Sequence, residues 1–475
     1  MRSFVASLLA VSLVLPGGAF AAKPRQMSKE QQVDHALNRL TWGPEPGEAA
    51  GVRKLGVKKW IDRQLQPQSI SEDPDLQARL DAMPVLKADT AEMFEKFKDR
   101  KSGAIRPAVQ NVVEARFLRA VYTNRQLEDV LTDFWFNHFN VFMDKGADRV
   151  FVGPYERDAI RPFVLGKFRD MLEATASHPA MLWYLDNWQS MGQNAPLGRL
   201  AKRAGKKGAR GLNENYGREL LELHTLGVDG GYTQQDVIDV ARCFTGWTIR
   251  DGKFQFAPGM HDSAEKTVLG VKIPAGGGKE DAQTVLDIVS RHQSTAKFVS
   301  LKLAQRFVSD TPSPALVNAM AATFLKSDGN LRDVMKTMLN AKEFWAADNY
   351  RAKIKSPMEL VVSAARAGQA ELKNGLTLAV AAEKMGQPVY RKLEPTGYSN
   401  VSSEWKNSAS LMARMNLASA FAQNKVPGLK MNWPDDAAAI LSHKPSASLK
   451  QTLSASVDKR TAVEAVLGSP EFQKR

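Results

Sequence analysis

Helical periodicity returns along this chain with little interruption, and it limits the possible folds more than any other feature of the sequence. In "AKFVSLKLAQRFVSD", "SPALVNAMAATFLKSDG", "LRDVMKTMLNAKEFW" and "SPMELVVSAARAG" apolar residues recur at three- and four-residue spacing. That is the pattern of a helix with one face turned inward. Ser, Asp, Gly or Pro stands at the ends of these runs, where caps and breakers belong. "AAGVRKLGVKKWIDRQLQP" and "AVQNVVEARFLRAVYT" follow the same rule, and "DHALNRLTWGPEP" reads as a helix stopped by Gly43 and Pro44. Strand signal is confined to residues 247–273, where Asp251-Gly252 in "TIRDGKFQF" supplies the positive φ angles of a type I′ hairpin turn. The expected fold is mainly α: a multi-helix globular array with a small β-hairpin insert near residues 247–273.

With 475 residues the chain can bury a large core, and length alone suggests roughly two to three domains. Breaks in the pattern fall near 195–211, at "PAGGGKED" (274–281) and at "AADNYRAK" (346–353). None is long enough to be a free linker. The expectation is one mostly helical domain over residues 22–475, with a division into two subdomains near 274–281.

The opening "MRSFVASLLAVSLVLPGGAFAA" has one arginine, an apolar run and the small-x-small triplet Ala19-Phe20-Ala21. It reads as a secretory signal peptide (1–21) cleaved after Ala21. The run is shorter than the ~20 residues that span a bilayer, and no later segment is apolar enough to do so. Cleavage removes one arginine and no acid, so the net charge falls from +14 to +13. The expected location is periplasmic or secreted, and such a basic protein suits anionic envelope polymers as partners. The spread of charge along the chain equally fits plain solubility. The one dense cluster, Lys202, Arg203, Lys206, Lys207 and Arg210, has no interleaved aromatic residues to stack bases, so no specific nucleic-acid partner is expected. Cys243 is the only cysteine and lies among apolar neighbours, which reads as a buried inert thiol.

Three stretches concentrate polar chemistry. In "NENYGRELLELHTLGVDGGYTQQDV" (213–237) Asn215, Arg218, Glu219 and Glu222 fall within about 100° on a helical wheel. Arg218 and Glu222, four apart, are placed to pair, and flanking leucines suggest that the pair is buried. Glu219 and Glu222, one turn apart, could share a metal if another segment supplied histidines. His224 projects to the other side. The turn that follows lacks oxygen ligands at the first and third positions of a calcium loop, and Thr233 with Asp236 reads as a capping box.

The second stretch, "LTDFWFNHFNVFMDKG" (131–146), carries Asp133, Asn137, Asn140 and Asp144 at helical spacing within an aromatic surround. His138 projects among phenylalanines, as a packed core histidine or as a ligand. The asparagines must find partners if they are buried. The third, "APGMHDSAEKTVLG" (257–270), places His261, Asp262 and Lys266 on an irregular segment after the hairpin, either as a functional loop or as an exposed turn. The chain has no Gly-x-Ser-x-Gly elbow, no His-Glu-x-x-His, no Cys-x-x-Cys and no phosphate loop.

In order, "HALNRLTWGPEPGE", "FWFNHFNV", "YLDN", "NENYGRELLELHTLGVDGGYTQQDVIDVARCFTGW", "HDSAEKTVLG", "KIKSPMELVVSAARA" and "MGQPVY" resemble a bacterial domain-of-unknown-function family, number 1800. "ASLMARMN" and the closing "SPEF" extend the likeness over nearly the whole mature chain. The resemblance implies an exported protein, often encoded beside a second exported protein similar to phosphatases and sulfatases, and it brings no established activity. It marks Asn213, Glu214, Asn215, Arg218, Glu219 and Glu222 as signature positions. "GYSNVSSEWKN" (397–407) departs from the family's usual Gly-Trp and small residues, which puts any shared role of that segment in doubt.

Two functions stay open on these residues. One is a hydrolase-type or metal-dependent enzyme, with Glu219 or Glu222 as base, His261 as acid, and Arg218, Asn215 and Asp262 in support. Its metal ligands would come from Glu219, Glu222, His138 and His261, although the expectation is that no cofactor is bound. The other is a non-catalytic envelope binding or scaffold protein partnering another exported protein, its polar motifs forming hydrogen-bond networks between helices. Whether His138, Glu219, Glu222 and His261 share one open pocket separates the two.

Overall fold

The computed structural model describes residues 25–99, 103–197 and 211–475. The leader expected at 1–21 and the basic cluster at 202–210 lie outside the described residues. The chain is mainly helical, with three two-stranded antiparallel sheets among the described residues. The periodic runs become the helices Ile105–Tyr122, Gln293–Phe307, Pro314–Lys326, Leu331–Asn340 and Pro357–Ala367. Their caps follow the sequence: Ser313, Asn330 and Ser356 accept backbone N–H groups at the helix starts, and each such cap is worth about 1 kcal/mol.

Two expected helices are cut short. The run from residue 49 to 67 splits at Gly56, whose φ of 90° is open to glycine, into Glu48–Leu55 and Val57–Gln64. The helix Gln126–His138 stops before Asn140 and Asp144, because Phe139 leaves helical geometry at φ −106°, ψ 50°. The four polar residues of that stretch therefore do not form one helical stripe.

The hairpin forms as expected. Trp247–Arg250 pairs with Lys253–Phe256, and Asp251 and Gly252 both take positive φ. A second hairpin, Lys266–Val268 with Val271–Ile273, turns through Leu269 and Gly270. The third pairing, Glu371–Leu372 with Leu429–Lys430, lies outside the expected strand region. Two residues per strand are too few to leave an alternating pattern.

The main hydrophobic core is a contiguous cluster running from Val33 to Phe472, with contributors on both sides of residues 274–281, and a small satellite gathers Met191, Ala195 and Met260. Trp42, Trp135, Trp247 and Phe117 are among its fully buried members. Both ends of the described chain close on one short segment. Gln26 bridges to Ala346 and Ile354 to Lys474, while Lys353 and Arg475 exchange backbone hydrogen bonds of 3.2 and 2.8 Å.

Candidate functional site

The signature stretch begins as the helix Asn215–Glu219 and continues as a π-helical turn, Leu220–Thr225. Gly217 lets it cross the helix Gln234–Cys243 closely. A Cβ there would lie 2.9 Å from the Val237 carbonyl oxygen and 3.0 Å from the Ala241 nitrogen. Asn213 fastens the start: its backbone N–H donates to Ser190 Oγ and its amide to the carbonyls of Leu185 and Asp186. Asn215 is exposed, its N–H donating to Asn213 Oδ1 at 2.9 Å.

The expected buried pairing of Arg218 with Glu222 does not form. Arg218 is 42% exposed and bonds Gln234 at 3.0 Å and Glu214 at 3.4 Å. Glu222 accepts instead from Tyr232 Oη at 3.4 Å. The π turn supplies the reason, since its i to i+5 bonds displace the side chains that an α-helix would stack four apart. Glu219 is half-buried, and burial, then the neighbouring Glu222, push its carboxyl above the usual range. Thr233 and Asp236 form the capping box read from the sequence.

The histidines lie apart from these carboxylates. His138 is buried among Phe134, Trp135 and Phe139, its Nε2 bonding the His224 carbonyl at 2.9 Å. Burial drives its pKa well below the ordinary histidine value. His224 is buried beside it, on the apolar side as expected.

His261, Asp262 and Lys266 are likewise buried, so their segment is no exposed turn. His261 Nδ1 bonds the Thr245 carbonyl at 2.8 Å and its Nε2 the Asp281 carboxylate at 3.1 Å, where Lys266 Nζ also lies at 2.5 Å. Asp262 pairs with Arg242 at 3.0 Å. Among the described residues no group of three or more His, Cys, Asp or Glu is placed to hold a metal ion. Cys243 is buried, and burial raises its thiol pKa.

A denser polar centre lies elsewhere. Asp133, Asn137, Arg306, Glu359, Tyr398 and Arg475 line a cleft of about 20 Å³, room for about one water. Glu359 ends a capping box on Ser356 through Oε2 and presents Oε1 to Arg306 and to Arg475 Nε at 3.0 Å. Burial would raise its carboxyl, but Arg306 and Arg475 outweigh burial and hold the pKa at about 2.

Arg116 joins this cleft to a second knot, pairing with Asp133 at 2.8 Å and with Asp129 and Glu156 at 3.6 Å. Asn137 Oδ1 accepts from the Tyr398 N–H, and the Asn140 amide donates to the carbonyls of Lys392 and Glu394. The half-buried Asn137 and the buried Asn140 thus fasten the 392–398 segment to the core. Sequence reading singled out Asp133 and Asn137 but missed Arg306, Glu359 and Arg475. Only the capping box of "SPME" hinted at Glu359.

One pair has the look of an activated nucleophile. Lys355 Nζ lies 3.1 Å from Ser363 Oγ, and burial, then Arg351, lower the lysine pKa to about 7. Both residues are buried. The backbone of Gly43 closes on the serine so tightly that a Cβ at Gly43 would fall 2.6 Å from Ser363 Cβ. Spacing and pKa fit a Ser-Lys base pair, but a substrate has no room to reach Oγ.

Fold and centre together define a mainly helical protein with a dense network of ion pairs in its interior. The family model described as "Protein of unknown function (DUF1800)" matches residues 35–474. The chain belongs to that family. No curated protein and no solved structure matches it.

Proposed function

We propose that the chain is a non-catalytic binding or scaffold protein of the cell envelope, exported after cleavage behind Ala21. One observation carries this reading: the acids and histidines that catalysis would need are not gathered in one open pocket. His138 and His261 are buried with structural partners, whereas Glu219 and Glu222 lie on a partly exposed flank. Buried polar contacts, such as Asn140 to the carbonyls of Lys392 and Glu394 and Arg116 to Asp133, specify one packing of many helices. The partners proposed are anionic envelope polymers and a co-encoded exported protein similar to phosphatases and sulfatases. Among the described residues no helix is long and apolar enough to cross a membrane.

Glu219 gives the enzyme reading its one support, as a carboxyl with raised pKa beside a second carboxyl suits general acid–base work. The test compares wild type with a Glu219→Gln, Glu222→Gln double variant in a strain lacking the native gene. Full complementation and unchanged co-purification of the envelope partner are expected. A folded variant that keeps its partner and loses biological function selects the enzyme instead. N-terminal sequencing of the exported protein should begin at Ala22; a start at Met1 ends the export reading.

A further inference from the structure

We infer that a pocket beside Asp144 binds a phosphate-bearing organic ligand. The cavity has a volume of about 480 Å³ and is lined by Arg106, Arg149, Arg391, Asp144, Ile105 and Val109, among others. Its arginines come from three parts of the chain. Arg106 stands in the first turn of Ile105–Tyr122, Arg149 in the helix Asp148–Pro154, and Arg391 on the segment after Tyr390.

Charge is unbalanced in this pocket. Among the described residues of its lining Asp144 is the one carboxylate, and two of the arginines share it, Arg391 at 2.8 Å and Arg149 at 3.9 Å. Arg106 is exposed and has no hydrogen-bond or ion-pair partner among the described residues. Two positive charges are therefore left over. They match the charge of about −1.5 to −2 that a phosphate monoester carries at neutral pH.

Geometry narrows the ligand further. A carboxylate offers two oxygens in one plane, which matches the planar guanidinium fork. Three forks arriving from three segments suit a tetrahedral group that presents oxygens in three directions. The volume lies in the range of small-molecule sites and far exceeds bare phosphate. Ile105 and Val109 supply an apolar ledge for the organic part.

The backbone beside the pocket is held in a costly shape. Tyr390 has φ 61°, a left-handed conformation that bulky residues rarely adopt. Its buried hydroxyl donates to Glu156 at 2.7 Å, and its carbonyl accepts from the Met143 N–H at 2.9 Å. Those contacts fix the turn that delivers Arg391 to Asp144. Such strain is kept where surrounding contacts over-determine it, and it gathers at ligand sites.

The test is calorimetric titration of the purified protein with glucose 6-phosphate, glucuronate and inorganic phosphate, beside sedimentation with phosphatidylglycerol vesicles. Glucose 6-phosphate should bind with a Kd below about 1 mM, and glucuronate at least about tenfold more weakly, because its carboxylate engages fewer forks. Inorganic phosphate should be weaker than the sugar phosphate, since it leaves the ledge unused. An Arg106→Gln, Arg149→Gln, Arg391→Gln variant should keep its melting temperature and lose the binding, while Lys384→Gln, an exposed charge elsewhere, should change nothing. Asp144→Asn should tighten binding by removing the competing carboxylate. Vesicle binding without sugar-phosphate binding, abolished in the triple variant, would assign the phosphate to a lipid headgroup. Absence of saturable binding to both, equal binding of glucuronate, or binding undiminished in the triple variant would overturn the inference.

Discussion

Arg218 and Glu214 sit one turn apart at 42% and 37% exposure with 3.4 Å between them, whereas Arg306 and Glu359, 53 residues apart, are 6% and 8% exposed. The same two side-chain types meet in both places. At the surface, water already solvates each charge, so the pair adds about 0–1 kcal/mol. In the interior each charge has lost its water, and the partner is what keeps that loss tolerable. The dense local motif is therefore the weak interaction, and the scattered one holds the fold.

Breaking the interior pair should have the largest effect. Glu359→Ala leaves Arg306 and Arg475 facing each other, and should cost about 3–5 kcal/mol in chemical denaturation. Because the Glu359 pKa falls from 4.5 to about 2 on folding, its stabilisation is present above pH 4.5 and is lost as pH falls toward 2. A loss below about 1 kcal/mol in the variant would erase the contrast between the two regions.

Lys355 sharpens the comparison through pH. Burial, then Arg351, lower its pKa from 10.5 to about 7. Between those values the unfolded chain keeps a proton that the folded chain has shed, so the folded state gains stability as pH rises across that window. Below pH 7 both states are charged and the full cost of burial stands. Lys355→Met should therefore stabilise more at pH 6 than at pH 10, by more than about 1.4 kcal/mol, the worth of one pKa unit. Equal gains at both pH values would refute this.

Gly217→Ala probes the packing beneath the signature stretch rather than its charge. The added methyl meets backbone atoms at 2.9 and 3.0 Å, which costs about 1–3 kcal/mol and outweighs the ~1 kcal/mol that alanine gains in a helix. A lower melting temperature is expected, and a higher one would show that the helix crossing can relax. The smallest effect is expected at Glu222→Gln, below about 1 kcal/mol by thermal melting. A loss of 3 kcal/mol or more there would mean that the signature acids are fixed as firmly as Glu359.

Much of the fold was legible because its signals are local. Caps such as Ser313 and Ser356, the Asp251-Gly252 turn and apolar spacing all act within a few residues. Errors arose where one residue resets the phase: Gly56 divides a helix, Phe139 ends one, and the π turn after Glu219 separates Arg218 from Glu222. The central cleft was largely illegible because its partners meet only in three dimensions. Arg475 reaches Glu359 across more than a hundred residues, and an arginine within an apolar helix looks from sequence like one that snorkels to water. Asn137 drew notice for needing a partner, but nothing local named Tyr398.

The bridges that draw residues 25–27 and 473–475 onto segment 345–355 give the molecule an order in time. Arg475 faces Glu359 and also exchanges backbone bonds with Lys353. Until residues 473–475 dock, Glu359 has Arg306 alone for company, and segment 353–355 lacks its closing backbone bonds. The helices can pack before residues 473–475 dock, but the pairing of Glu359 completes only when Arg475 reaches it. A variant with residues 473–475 replaced by glycine should stay open to protease, because docking of that segment acts as the latch.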